Sequence, residues 1–96
     1  MEVKIQSVKF DADAKLLQFV EAKMEKLERF IDRATSSDVI MKLDKDHEKG
    51  NKVTTITINI PGDQLVAEAR AKSFEETIDH AVDALKTQIE RAKAKA

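Results

Sequence analysis

The sequence predicts an α+β domain of order β-α-β-β-β-α, a four-stranded sheet with two helices packed on one face. Three observations predict it. Apolar residues recur at helical spacing in two stretches, Leu16 to Ile31 and Phe74 to Ile89. Between them, three stretches alternate apolar and polar residues with the two-residue period of half-buried strands. A single Pro61-Gly62 pair punctuates the middle of the chain, where a tight turn must reverse it.

The elements follow in order. Residues 3–10 read as a strand with Val3 and Ile5 on one face, and the alternation slips near Ser7, where a bend or bulge is expected. Asp13 is the better placed of two caps for a first helix running to about Arg33, with Thr35, Ser36 and Ser37 marking its exit. Over 38–45, Val39, Met41 and Leu43 alternate with Asp38, Lys42 and Asp44. Asp46 to Asn51 is a polar loop centred on Gly50. Over 52–60, Ile56, Ile58 and Ile60 point inward and Thr55, Thr57 and Asn59 outward, and branching at Cβ suits these residues to strands. Residues 64–72 form the last strand, with Leu65, Ala67, Ala69 and Ala71 on its inner face. Ser73 and Glu76 make a capping box for the second helix, whose apolar stripe is Phe74, Ile78, Val82, Leu85 and Ile89. The closing Ala-Lys alternation is expected to fray.

Composition narrows the function. Ninety-six residues predict one domain, residues 1–96, and 42% hydrophobic with 36% charged residues predicts a folded, highly soluble chain. A net charge of −1 means that any case for a polyanionic partner must rest on where the charges lie. The absence of cysteine excludes disulfides and thiolate metal sites. No apolar run approaches the length of a membrane span and no secretion signal is visible, so a cytoplasmic protein with no membrane partner is expected. No glycine-rich phosphate loop or nucleophile motif is present. His47 in a loop and His80 on a polar helix side have no partner at recognisable spacing, and Asp79 with Asp83 reads as solvated helix charge. No enzyme, catalytic residue, metal, cofactor or small-molecule substrate is expected.

The charge order of the first helix is more specific. At about 100° per residue, Lys15, Lys23, Lys26, Arg29 and Arg33 fall within an arc of roughly 120°. Leu16, Leu17, Val20, Met24, Leu27 and Ile31 fill the next arc, and Glu21, Glu25, Glu28 and Asp32 take the side that remains. Helices that need only solubility tend to mix signs at i,i+4. A ridge of one sign is the footprint of a docking polyanion. The ridge is expected to stand unopposed in its own arc, with Lys23 and Lys26 exposed. Lys4, Lys9, Lys42 and Lys52 could extend it, as could Lys86, Arg91 and Lys93 on the second helix. There Asp79, Asp83 and Glu90 dilute the field. The open sheet face has no aromatic residue on which to stack bases, so binding is expected through phosphates and shape. All four phenylalanines, Phe10, Phe19, Phe30 and Phe74, read as core.

The run from Phe19 to Arg33, with Ala22-Lys23-x-x-Lys26-Leu27-Glu28 followed by Phe30 and Asp32-Arg33, resembles the first helix of the ribosome hibernation-promoting factors, also called ribosome-associated inhibitor proteins. The resemblance extends through Val3-x-Ile5, Ala67-x-Ala69, Ile78-Asp79 and Gln88 to cover the chain. It departs at Leu17, where an arginine is common, at Ser73-Phe74-Glu75, and at Ala84 and Thr87, two positions often basic.

The resemblance implies a fold like a double-stranded RNA-binding domain, in the short form without a C-terminal dimerisation domain. It implies binding to the small ribosomal subunit between head and body, where the domain overlaps mRNA and the A-site and P-site tRNA and silences translation during stress or slow growth. The ribosomal RNA contacts it implies are Lys23, Lys26, Arg29 and Arg33, with Lys86, Arg91 and Lys93 in the region that is basic in the family. The helical arc adds Lys15. The free protein is expected to be a monomer. Two alternatives stay open at this point: a generic double-stranded RNA-binding module, and a protein-protein adaptor that uses the open sheet edge or the acidic side of the first helix.

Overall fold

The computed structural model describes residues 1–45 and 48–94, and for residues 93 and 94 the helical backbone alone. The elements are β1 (Glu2–Val8), α1 (Ala14–Glu28), β2 (Ser36–Leu43), β3 (Lys52–Ile60), β4 (Asp63–Ala71) and α2 (Phe74–Ala94). The sheet order is β1-β2-β3-β4. β1 pairs parallel with β2, and the remaining pairs are antiparallel. A parallel pair needs a long crossover, which α1 supplies, whereas the antiparallel pairs need only hairpins.

Both helices lie on one face, and the core is what they enclose. Val20, Met24 and Leu27 of α1 are fully buried with Ile78, Ala81 and Leu85 of α2, against Val39, Met41, Ile56 and Ile58 from the sheet. Burying each large aliphatic side chain contributes about 1.5–3 kcal/mol. The helices run side by side in the same direction: Lys23 of α1 meets Asp79 of α2, and seven residues further along each chain Phe30 meets Lys86.

One polar join lies inside this core. Thr77 Oγ1 donates to the Phe74 carbonyl at 2.6 Å. The 2.7 Å bond between Thr54 and Thr77 must then have Thr54 as donor. It ties the first turn of α2 to the early part of β3 with neither buried hydroxyl unpaired.

Local signals act where the sequence places them. The Leu16 N–H donates to Asp13 Oδ1 at 2.8 Å, capping α1. The Glu76 N–H donates to Ser73 Oγ at 3.2 Å, and Ser73 Oγ donates to Glu76 Oε1 at 3.1 Å. Ile60 pairs with Asp63 across Pro61-Gly62, with Gly62 at φ 80° as a type II turn requires. Gly50 is more tightly constrained. Its φ is 123°, and a Cβ there would lie 2.1 Å from the Ala71 carbonyl oxygen, a backbone atom that cannot swing away.

Several boundaries and one burial differ from expectation. β1 stops at Val8, where Lys9 turns to φ 68° and breaks the strand. β2 and β4 begin two and one residues earlier than the alternation suggested, at Ser36 and Asp63.

The α1 helix ends at Glu28, so Arg33 lies beyond it. Arg29, Phe30 and Ile31 donate to carbonyls three residues back, at 3.2, 3.0 and 3.0 Å, tightening the exit. The chain must reverse there because Thr35 already joins the sheet, its N–H donating to Asn59 at 2.9 Å. Phe30, on this exit, is 42% exposed and not core, while Phe74 is buried and stacked on Phe10 at 4.4 Å. α2 runs to Ala94, and residues 95 and 96, where fraying was expected, lie outside the described residues. So do Asp46 and His47 of the polar loop.

Candidate nucleic-acid interface

The cations sort into three settings. Lys15, Lys26 and Arg29 stand along one flank of α1, all exposed, and none forms an ion pair with a described residue. Arg33 is exposed on the exit loop, close in sequence to Arg29 but off the helix, so the ridge continues as a loop.

Lys23 differs. Its Nζ lies 2.8 Å from Asp79 Oδ1 of α2 and 5.4 Å from the centroid of the Phe19 ring, and its side chain is 33% exposed. The unopposed ridge expected from α1 alone is thus opposed by its neighbour. Both groups are well solvated, so the pair is worth at most about 1 kcal/mol and can exchange.

Lys86 on α2 is half-buried, with its Nζ 5.2 Å over the Phe30 ring centroid. A ring attracts a cation through its quadrupole without cancelling its charge. Arg91 is exposed. It follows Gln88 by three residues, and so lies on the same side of α2. Gln88 Nε2 donates to the Val66 carbonyl of β4 at 2.9 Å, which turns this side toward the sheet edge and away from α1. The side chain of Lys93 lies outside the described residues. The structure therefore gathers Lys15, Lys23, Lys26, Arg29 and Lys86 along the α1 side of the helical layer, with Arg33 at its end, and leaves Arg91 apart.

The acids of α1 face the other way. The Met1 ammonium group pairs with Glu28 on the β1 side of the helix. At the start of α2, Glu75 and Glu76 are both exposed, where they favour the positive helix end and oppose a phosphate backbone.

The open sheet face offers different chemistry. Its polar side chains satisfy one another: Thr55 donates to Glu68 at 3.0 Å, Asn59 to Ser36 at 3.0 Å and Gln64 to Asn59 at 2.9 Å. Its exposed apolar residues, Ile40 and Val66, are aliphatic. Lys4 and Lys42 lie on this face, on the far side of the sheet from the α1 flank, so they do not extend the ridge. At its rim Arg70 donates to Asp44 at 2.6 Å and to the Gly50 carbonyl at 3.1 Å, and its guanidinium holds the Asp44 carboxyl below its usual value. Among the described residues no group of three or more His, Asp or Glu is placed to hold a metal ion. Nor, among the described residues, is any helix long and apolar enough to cross a membrane.

Two residues were missed by sequence reasoning. Asp79 gave no local sign that it would reach Lys23, because that contact depends on how the helices register. Phe30 gave one: on an extended first helix it falls roughly 90° from the centre of the apolar stripe.

Relatives place the chain. A ribosome hibernation promoting factor of Azotobacter vinelandii is 34% identical over 95 residues, covering 99% of this chain and 85% of that protein. One from Escherichia coli strain K12 is 28% identical, covering 99% and 96%. Among solved structures, a ribosomal subunit interface protein from Coxiella burnetii superposes with a TM-score of 0.82 at 22% identity, covering 98% of this chain and 99% of that one, a likeness of fold. The N-terminal domain of Thermus thermophilus Protein Y superposes with a TM-score of 0.78 at 25% identity, covering 95% and 98%. The model of one family matches residues 3–96, and the chain belongs to that family, the sigma 54 modulation protein / S30EA ribosomal proteins.

Proposed function

We propose that this chain is a cytoplasmic ribosome hibernation factor that binds the small ribosomal subunit in its mRNA and tRNA channel and blocks translation by occupancy. The observation that carries the reading is the exposed series Lys15, Lys26 and Arg29 on one flank of α1, unpaired among the described residues, in a chain whose net charge is −1. With so little net charge, attraction to RNA must come from such a local strip. Charge-assisted hydrogen bonds from these side chains to rRNA phosphates fix the domain. A packed body of 41 × 26 × 20 Å then fills space that mRNA and tRNA need. No bond is made or broken in this mechanism, and no cofactor takes part.

Its relatives' names point to hibernation, and its charge layout disfavours the other readings. Generic duplex binding would set the exposed Glu75 and Glu76 against phosphates. An adaptor adding a strand to β4 would have to displace Gln88 from the Val66 carbonyl. Sedimentation through a sucrose gradient tests the proposal. The protein should travel with small subunits and whole ribosomes and leave them as monovalent salt rises from about 50 to 200 mM. Protein remaining at the top of the gradient in low salt, or binding that ignores salt, would refute it.

A further inference from the structure

We infer that Phe30 is a base-stacking contact: an unpaired nucleobase of the bound RNA lies on its ring, with the flanking phosphates held by Arg29 and Arg33. The inference rests on the ribosome-binding reading and adds to it a contact that phosphate recognition alone does not supply.

Among the described residues Phe30 is one of three large hydrophobic residues left substantially exposed, and the other two, Ile40 and Val66, are aliphatic residues on the open sheet face. Its sequence neighbours Arg29 and Arg33 are both exposed and form no ion pair with a described residue. Lys86 Nζ stands over the ring at 5.2 Å. Phe30 and Arg33 also line one open groove of about 410 Å³, floored by Ile60, Leu65 and Ile89.

These features belong together chemically. An apolar floor, an aromatic wall and one arginine at the rim, with Arg29 next to the ring in the chain, match a nucleotide: the base takes the apolar surface and its phosphates take the arginines. Asp32 and Asp63 also line the groove, and their carboxylates can accept hydrogen bonds from the exocyclic amino groups of bases. A partner protein with an apolar anchor would fill the floor but offer nothing to Lys86 over the ring or to Arg29 beside it in the chain, neither of which forms an ion pair with a described residue. The stacking also fits the tight exit of α1, which turns Phe30 outward while Ile31 packs on the core.

The chain contains no tryptophan and no tyrosine, so Phe30→Trp creates a lone fluorophore. Its emission should fall by at least about half when small subunits are added to saturation, with affinity equal to or above wild type, because indole stacks at least as well as phenyl. Val66→Trp, on the open face, should keep its emission. Phe30→Leu keeps the groove apolar but removes the π-face, and should weaken binding about tenfold with an unchanged salt slope.

Wild-type affinity in Phe30→Leu, or equal quenching at both tryptophan positions, would overturn the stacking contact while leaving ribosome binding intact. Self-association of the free protein that Phe30→Leu abolishes would assign the groove to a second copy instead. If the wild-type protein itself failed to bind small subunits, the ribosome reading and the stacking contact would fall together.

Discussion

Lys23 and Lys86 sit about two turns apart along two parallel helices, each reaching across to the neighbouring segment, and the same ammonium group meets opposite company. Lys23 finds a carboxylate, Asp79, at 2.8 Å. Lys86 finds the ring of Phe30 at 5.2 Å. The carboxylate cancels a unit charge for anything more than a few ångströms away, whereas the ring leaves the charge of Lys86 in place. The helices considered singly suggest the reverse, an unopposed first helix and a diluted second. A charged arc on one helix is therefore not yet a field, because the neighbouring helix decides which cations remain available. Lys26 and Arg29 escape this because neither meets an acid from α2.

The strongest test of that division targets the cations no acid opposes. Reversing both Lys26 and Arg29 to glutamate should weaken binding to small subunits about 100-fold or more and lower the salt slope by about two. Both side chains are exposed, so circular dichroism should stay unchanged. Loss of structure would mean that this flank of α1 is packed, and an undiminished slope would mean that these residues meet no phosphate.

Removing the opposing charge should act in the other direction. Asp79→Asn frees Lys23 and should tighten binding up to about fivefold, the equivalent of about 1 kcal/mol for a solvated pair. Ribosome pelleting across a salt series reads it directly. Weaker binding would show that the carboxylate holds Lys23 in place for RNA, and the contrast between the two lysines would fail.

Neutralising each lysine in turn sharpens the comparison. Lys86→Gln should cost about threefold in affinity and Lys23→Gln less than about twofold, since Lys23 starts out cancelled. The opposite order, measured on the same subunits, would return priority to the first helix.

The smallest effect is expected far from either helix. The Arg70 guanidinium beside Asp44 holds that carboxyl below its ordinary 3.8. Whatever stability the ionised pair adds is present in full above about pH 4 and lost as pH falls through the folded-state value. Asp44→Asn should therefore differ from wild type in urea midpoint by the same small amount from about pH 5 to 7, converge with it in more acid solution, and bind ribosomes unchanged. A gap that widened on acidification would reverse the sign assigned to this pair.

The sequence alone determined what depends on neighbouring residues. Asp13 caps through a bond to Leu16, three positions on, and Ser73 through one to Glu76. Proline and glycine at 61 and 62 set their own backbone angles, and the stripe from Phe74 to Ile89 repeats at the period of its own helix. Lys15, Lys26 and Arg29 were legible as one flank for the same reason.

The tertiary structure decided the rest. No glycine or proline marks the end of α1, and Arg29 to Arg33 contains good helix formers. The helix stops at Glu28 because Thr35 must reach Asn59 to enter the sheet, and that demand places Arg33 on a loop and Phe30 in solvent. The pairing of Thr54 with Thr77, and of Lys23 with Asp79, likewise joins residues 23 and 56 positions apart in the chain. Periodicity assigns a side chain to a face of its own element. Which atom waits across the gap depends on the register between packed elements, and that register is set by the whole core at once.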